Sequence, residues 1–416
     1  MIKNNDSFLS ATENDFLIVG GGIIGLTLAY ELKKRHPSAR IVILEKEPLL
    51  GRHASGRNSG VLHSGIYYSS DTLKAKVCVS GAQRMKQFAA EHNIPCRQGG
   101  KVIVASSAND TSSLDKLMKN ARENHIQAER LDEQGVRRIE PHAYAPVGGI
   151  YCADTAVIDP QAVLEKLLLL LRDNGVTIRF DEKVVGIDTT RKTVVTSKSQ
   201  YSYCFFFNCA GAYADVIARR FGLCRDYTLL PFKGIYYKLS HDKDFLVKAN
   251  IYPVPDLFLP FLGVHFTRDI HGDVYIGPTA IPALGRENYQ IFHGINLAEC
   301  LEIGWLLGNM YFRNIQNFRA LVHIEMQKYS KRYFLECARK LVPEVSSDDL
   351  LPCSKVGIRP QLVNLRTKKL EMDYILELTN TSLHVLNAIS PAFTSAFSFA
   401  ELLADRFSGI TEGRQT

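Results

Sequence analysis

The stretch from Asp15 to Glu47, DFLIVGGGIIGLTLAYELKKRHPSARIVILEKE, constrains the fold more than any other part of the chain. Phe16–Val19 is a short apolar run, as expected of a parallel strand buried on both faces. Gly20, Gly22 and Gly25 then fill the glycine places of G-x-G-x-x-G. The first permits a tight turn, the second lets backbone approach a pyrophosphate, and the third lets a helix pack on the strand. A helix is predicted from about Ile23 to Arg35, with Ile23 and Ile24 in its first turn, so that its amides and positive dipole end meet phosphate. A second strand ends on Glu45, twenty positions beyond Gly25, with Lys46 beside it. A carboxylate there can accept hydrogen bonds from ribose hydroxyls, whereas a basic residue would have suggested NADP. Strand, turn, helix, strand and acid in this order predict a bound adenine dinucleotide. They do not separate FAD from NAD.

The next segment, GRHASGRNSGVLHSGIYY (residues 51–68), is glycine-rich and polar where a regular crossover would follow in an NAD-binding unit. Small residues, Ala54, Ser55, Gly56, Asn58, Ser59 and Gly60, leave backbone amides free to cradle phosphate and ring oxygens. The pattern resembles flavoproteins of the D-amino-acid-oxidase type, whose corresponding loop runs along the pyrophosphate, ribitol and ring system of FAD. Within that superfamily the chain resembles the L-2-hydroxyglutarate dehydrogenase/oxidase family. The resemblance rests on strings in fixed order: NSGVLHSGIYY, LKAKVCVSG, GGKVIVA, FNCAGAYAD, PFKGIYYKL, NIYPVPD, PFLGVHFTRDIHGDVYIGP, VGIRPQ and LHVLNAISPAFTSA. It implies FAD as cofactor, further contacted by Val184, Cys209, Ala210, Gly211, Gly357, Pro391 and Thr394. Departures are Arg57 where the family usually has histidine, Leu386 where it has arginine, and Ile389 and Phe393 in place of smaller residues.

The chain has 416 residues, 46% apolar and 22% charged, with a formal charge of +7. This suits a soluble enzyme with a large core, and the modest positive excess suits anionic substrates without demanding nucleic acid. Nine cysteines show no paired C-x-x-C spacing, which favours buried free thiols over disulfides or a zinc site, and no metal is expected. MIKNNDSFLSATEND lacks the apolar core of a secretory signal, and no uncharged stretch is long enough to span a membrane. A cytoplasmic protein is expected, at most peripheral on the cytoplasmic membrane face.

Strand and helix patterns recur at the beginning, middle and end of the chain. They predict an α/β architecture: a discontinuous Rossmann-like FAD-binding domain (residues 1–84, 151–222 and 351–416) and a substrate domain (85–150 and 223–350). In the substrate domain, GIYYKL, FLGVHFT and DVYIGP predict an antiparallel sheet, and residues 296–340 read as helical and cation-rich. Asp154 and Asp159 are expected to shape turns or caps.

The implied chemistry is oxidation of L-2-hydroxyglutarate to 2-oxoglutarate, with electrons passing to quinone or oxygen. It requires a base for the hydroxyl proton and cations for two carboxylates. His63 is the first candidate base and His265 the second, with flavin contact or covalent flavin attachment as other roles for His63. Arg359 is the leading carboxylate ligand, since a guanidinium grips a carboxylate through two parallel hydrogen bonds. Arg57 and Lys233 are further cations, and Tyr67 and Tyr236 hydroxyl donors. Two alternatives stand beside this reading. One is a related FAD enzyme acting on another 2-hydroxy acid, an amino acid or glycerol 3-phosphate. The other, carried only by the basic helical segment, is a flavin-binding scaffold or RNA-modifying protein.

Overall fold

The computed structural model describes residues 12–255, 261–290 and 294–412. Strand β1 (Thr12–Val19) runs into helix α1 (Ile23–Arg35), and α1 returns the chain to strand β2 (Ile41–Leu44). β1 pairs in parallel with β2 on one side and with Gln200–Asn208 on the other. Parallel strands Thr177–Arg179 and Ser382–Val385 extend this core beyond β2 and beyond 200–208 respectively. Three antiparallel strands complete the eight-stranded sheet.

Both faces of the sheet are covered, which is why β1 and β2 read as unbroken apolar runs. Phe16 and Ile18 pack under α1 and the closing helix Ala392–Glu412, while Leu17 and Val19 turn to the opposite layer with Val42, Leu44 and Phe206. Asp159 caps the helix Pro160–Asp173 by accepting from the amides of Gln161 (2.8 Å) and Ala162 (3.2 Å).

The second sheet has nine strands. Its edge is the antiparallel pair Tyr227–Leu239 and Leu350–Asn364, paired from Tyr227↔Asn364 to Leu239↔Leu350 with a register shift between Ile235 and Tyr237. Next come Val274–Gly277, His265–Arg268, Asn250–Pro253 and Lys101–Val104, the last two in parallel. The strand Leu350–Asn364, which the sequence reading grouped with the FAD-binding segments, pairs with this sheet at both of its ends, with the ladder broken only at one irregularity. It thereby carries Gly357 and Arg359 to the seam between the sheets. Helices Leu297–Phe312, Phe318–Gln327 and Lys331–Arg339 occupy the segment expected to be helical. All nine cysteines are free, and Cys204 is exposed where a buried thiol was expected, because alternation along 200–208 turns it outward.

Candidate active site

A cavity of ≈ 1430 Å³ lies where the two sheets meet. Ordinary small-molecule pockets span about 300–1,000 Å³, so this one has room for a dinucleotide together with a small second ligand. At one end it is walled by Gly20, Gly22, Ile23 and Ile24. Helix α1 starts here with no acidic residue in its first turn and no side-chain cap. Its N-terminus therefore presents amides and a positive dipole end to the cavity, where a pyrophosphate can supply the anion. Gly25 is not in the wall: a Cβ there would stand 2.0 Å from the Gly20 carbonyl oxygen, so its role is to let α1 close on the turn.

Glu45 and Lys46 line the next section. The Glu45 carboxylate accepts from the amides of Gly21 (2.8 Å) and Glu47 (2.9 Å), which fixes it at the rim. The Lys46 ammonium is already engaged, with Glu287 (2.6 Å), Glu47 and His53. It thus closes the Glu47–His53–Glu287 cluster with a positive charge. Ala54, Ser55, Asn58 and Ser59 form a long wall, and Ser55 Oγ accepts from the Ile23 amide (2.9 Å). Gly56 and Gly60 stand behind that wall, holding the loop through Gly56 N–H to His53 O (3.0 Å) and Ile158 N–H to Gly60 O (2.9 Å). Val184, Cys209, Ala210, Gly211, Gly357, Pro391 and Thr394 also face the cavity. Gly357 is required by close approach, since a Cβ there would meet the Arg57 carbonyl oxygen at 2.6 Å.

The far end carries the residues expected to do chemistry. His63, Tyr67, Tyr236, His265 and Arg359 all line it, joined by Tyr252 and Phe261. Thr394 holds the His63 segment by accepting from the His63 amide (3.2 Å) and donating to Val61 O (3.3 Å). His265 Nδ1 donates to the Gly263 carbonyl (2.8 Å), so its Nε2 keeps the lone pair, and the ring stacks on Tyr252 at 3.9 Å. Burial drives the pKa of both histidines down to about 3. For His63 the next causes are Lys101, His265 and Arg359; for His265 the cations Arg359, Lys101 and Lys328 add to burial against the bond to Gly263. Both imidazoles are neutral near pH 7. Burial also raises the hydroxyls of Tyr67 and Tyr236.

Arg359 has no hydrogen-bond or ion-pair partner among the described residues; its guanidinium lies 5.7 Å from the centre of the Phe261 ring. It is an uncommitted cation facing a cavity. Arg57 also lines the cavity but is partly committed, stacked over Tyr289 at 4.3 Å with Nε donating to Arg52 O (2.6 Å). Lys233, expected as a substrate cation, is absent from the wall. Gly234 and Tyr236 face the cavity, and strand alternation sends Lys233 to the other side, where it donates to Asn288 Oδ1 (3.0 Å) and Gln290 O (3.3 Å). Of the positions that depart from the family pattern, Ile389 and Phe393 line the cavity, whereas Leu386 is buried among Leu229 and Leu362. Tyr252 was not singled out in the sequence; its only signal was its place in NIYPVPD.

A family model described as FAD dependent oxidoreductase matches residues 15–406. The chain belongs to that family. Among its relatives, L-2-hydroxyglutarate dehydrogenase of Indibacter alkaliphilus is 35% identical, over 92% of this chain and 96% of the relative. The mitochondrial L-2-hydroxyglutarate dehydrogenase of Homo sapiens is 33% identical, over 95% of this chain and 89% of its own. A solved L-alpha-glycerophosphate oxidase from Mycoplasma pneumoniae with FAD bound superposes with a TM-score of 0.74 at 21% identity, covering 95% of both chains. As in this FAD-dependent oxidoreductase family generally, the cofactor is FAD. The α1 N-terminus, whose capping position is Gly22, the rim carboxylate of Glu45 and the size of the cavity all fit it.

Proposed function

We propose that this protein oxidises L-2-hydroxyglutarate to 2-oxoglutarate, using FAD and passing the electrons to a quinone or to oxygen. The carrying observation is Arg359, a guanidinium without a partner among the described residues, beside two neutral imidazoles. A dianionic substrate supplies the missing carboxylate. Arg359 orients one carboxylate in this reading, with Tyr67 and Tyr236 as hydroxyl donors around it. His63 takes the C2 hydroxyl proton, and the fixed lone pair on His265 Nε2 offers a second acceptor for the same hydroxyl. The bound flavin supplies the acceptor for the C2 hydrogen as hydride. Relatives named L-2-hydroxyglutarate dehydrogenase over most of the chain support this substrate.

Anaerobic addition of L-2-hydroxyglutarate to the yellow holoenzyme should bleach the flavin and yield 2-oxoglutarate. An unbleached flavin with that acid, but a bleached one with an amino acid, glycerol 3-phosphate or another 2-hydroxy acid, would transfer the function to that substrate. Ile389 and Phe393 in the wall are the observation that makes such a panel worth running.

The acceptor is proposed to be a quinone reached at a membrane surface. Helix Leu297–Phe312 turns Leu297 (75% exposed), Trp305 (63%) and Phe312 (77%) to solvent, while its Ala298, Glu299 and Glu302 line the cavity. Among the described residues no helix is long and apolar enough to cross a membrane. An apolar face at the cavity mouth instead suits lying on a bilayer. Co-sedimentation with phospholipid vesicles, lost in Trp305→Ser, checks this; retention of the variant would remove the support.

A further inference from the structure

Directly behind the substrate end of the cavity lies a lysine that has no carboxylate. Lys101 is 1% exposed, and its Nζ has no hydrogen-bond partner among the described residues. Two rings flank it instead: Tyr67 at 4.5 Å and Tyr252 at 5.1 Å from ring centre to Nζ. The Tyr67 hydroxyl likewise has no partner among the described residues. The charged or titratable groups acting on or near it are His63, His265, Arg359, Cys78 and Cys152, with no acid in contact among the described residues. Burying a lone cation is costly, and two ring faces return only part of that cost. A stray hydrophobic position would hold methionine or leucine. Among the described residues no acid pairs with the lysine.

We propose that Lys101 is a positioning residue of the substrate site: a buried cation, one layer behind Tyr67 and Tyr252, whose field draws a dicarboxylate dianion into the cavity. The inference rests on the dicarboxylate reading given above. In the sheet, Lys101 precedes the strand residues that pair with Ile251 and Tyr252, and Tyr252 in turn stacks on His265. The ammonium is thus built into the rigid backing of the two rings that line the site, and not on a loop. Its charge acts in concert with Arg359: Arg359 touches the ligand, and Lys101 raises the electrostatic potential at the ligand's position, lowering the energy of an anion there without touching it. Burial lowers the Lys101 pKa, and the arriving dianion supplies the counter-charge that favours the ammonium form.

The test compares FAD-loaded wild type with Lys101→Met and Lys101→Gln, titrating glutarate and, separately, butyrate while following the visible flavin spectrum. This needs no turnover. A field effect scales with ligand charge, so the dianion glutarate should lose about tenfold in affinity and the monoanion butyrate about threefold, the order expected of one buried charge at close range. In turnover the loss should fall on KM, with kcat little changed. Equal losses for the two ligands would mean a general deformation and overturn the proposal, as would no loss for either. Failure of both variants to take up FAD would assign Lys101 to folding and overturn it too. Wild type that binds neither ligand would sink the dicarboxylate reading itself, while wild type that binds glutarate but is not reduced by L-2-hydroxyglutarate would sink the proposed reaction and leave the Lys101 comparison standing.

Discussion

Arg359 and Lys233 show what alternation along a strand does to two cations that look equivalent in the sequence. Both sit in apolar strands, yet Arg359 faces the cavity unpartnered and Lys233 faces away, bonded to Asn288 and Gln290. Arg359→Ala should therefore raise KM by about a hundredfold with FAD retained, the loss expected for a bidentate charged hydrogen bond. Lys233→Met should leave KM within about twofold. His63→Ala should lower kcat by ~10²–10⁴-fold if it takes the proton; the same loss in His265→Ala, with His63→Ala active, would move the role to His265. Because both imidazoles titrate near 3, kcat/KM should stay flat as pH falls from about 7.5 to about 5.5. A fall with an apparent pKa near 6.5 would show that the reacting histidine is ordinary. Arg359 was legible because an arginine beside proline in a small, apolar string has little structural reason to exist. Lys233 was not, because a sequence does not state which face of a strand will meet the cavity.

At the scale of elements, the cavity wall is held by a buried ion pair. Arg286, 7% exposed, meets the fully buried Asp215 through Nη2 to Oδ2 (2.8 Å) and a second close contact, and Glu299 through Nε (3.0 Å). This ties the helix after the Cys209–Tyr213 turn to the start of Leu297–Phe312. Burial pushes the Asp215 carboxyl up, but Arg286 and Arg219 outweigh it and hold the group below the usual carboxylate range. Arg286→Met leaves the buried carboxylate with only the more distant Arg219 (3.4 Å) as counter-charge, so it should cost about 3 kcal/mol by chemical denaturation; a change under ~1 kcal/mol would mean that Arg219 alone suffices. The glycine turn, α1 and Glu45 were readable because local period and fixed spacing encode them. The pairing of 227–239 with 350–364 was not, because it joins segments over a hundred positions apart, and no local pattern records a partner.

For the whole molecule, three histidines dominate the expected response to acid. His63, His265 and His384 all have pKa values near 3 because burial disfavours their charged form. The unfolded chain protonates them near 6.5. Between those values the unfolded state binds more protons, so stability should decline as pH is lowered from about 6.5 toward about 3. Thermal unfolding of the apoprotein should show Tm falling across the upper part of that window, from about pH 6.5 to about pH 5; a constant Tm there would mean that these imidazoles are charged when folded.

The cavity wall draws on residues as far apart in the chain as Gly20 and Thr394. A polypeptide still emerging from the ribosome therefore cannot grip flavin until almost its last helix has been made. Yellow colour then marks completed synthesis, and premature termination even close to the carboxyl end should leave colourless fragments for proteases to clear.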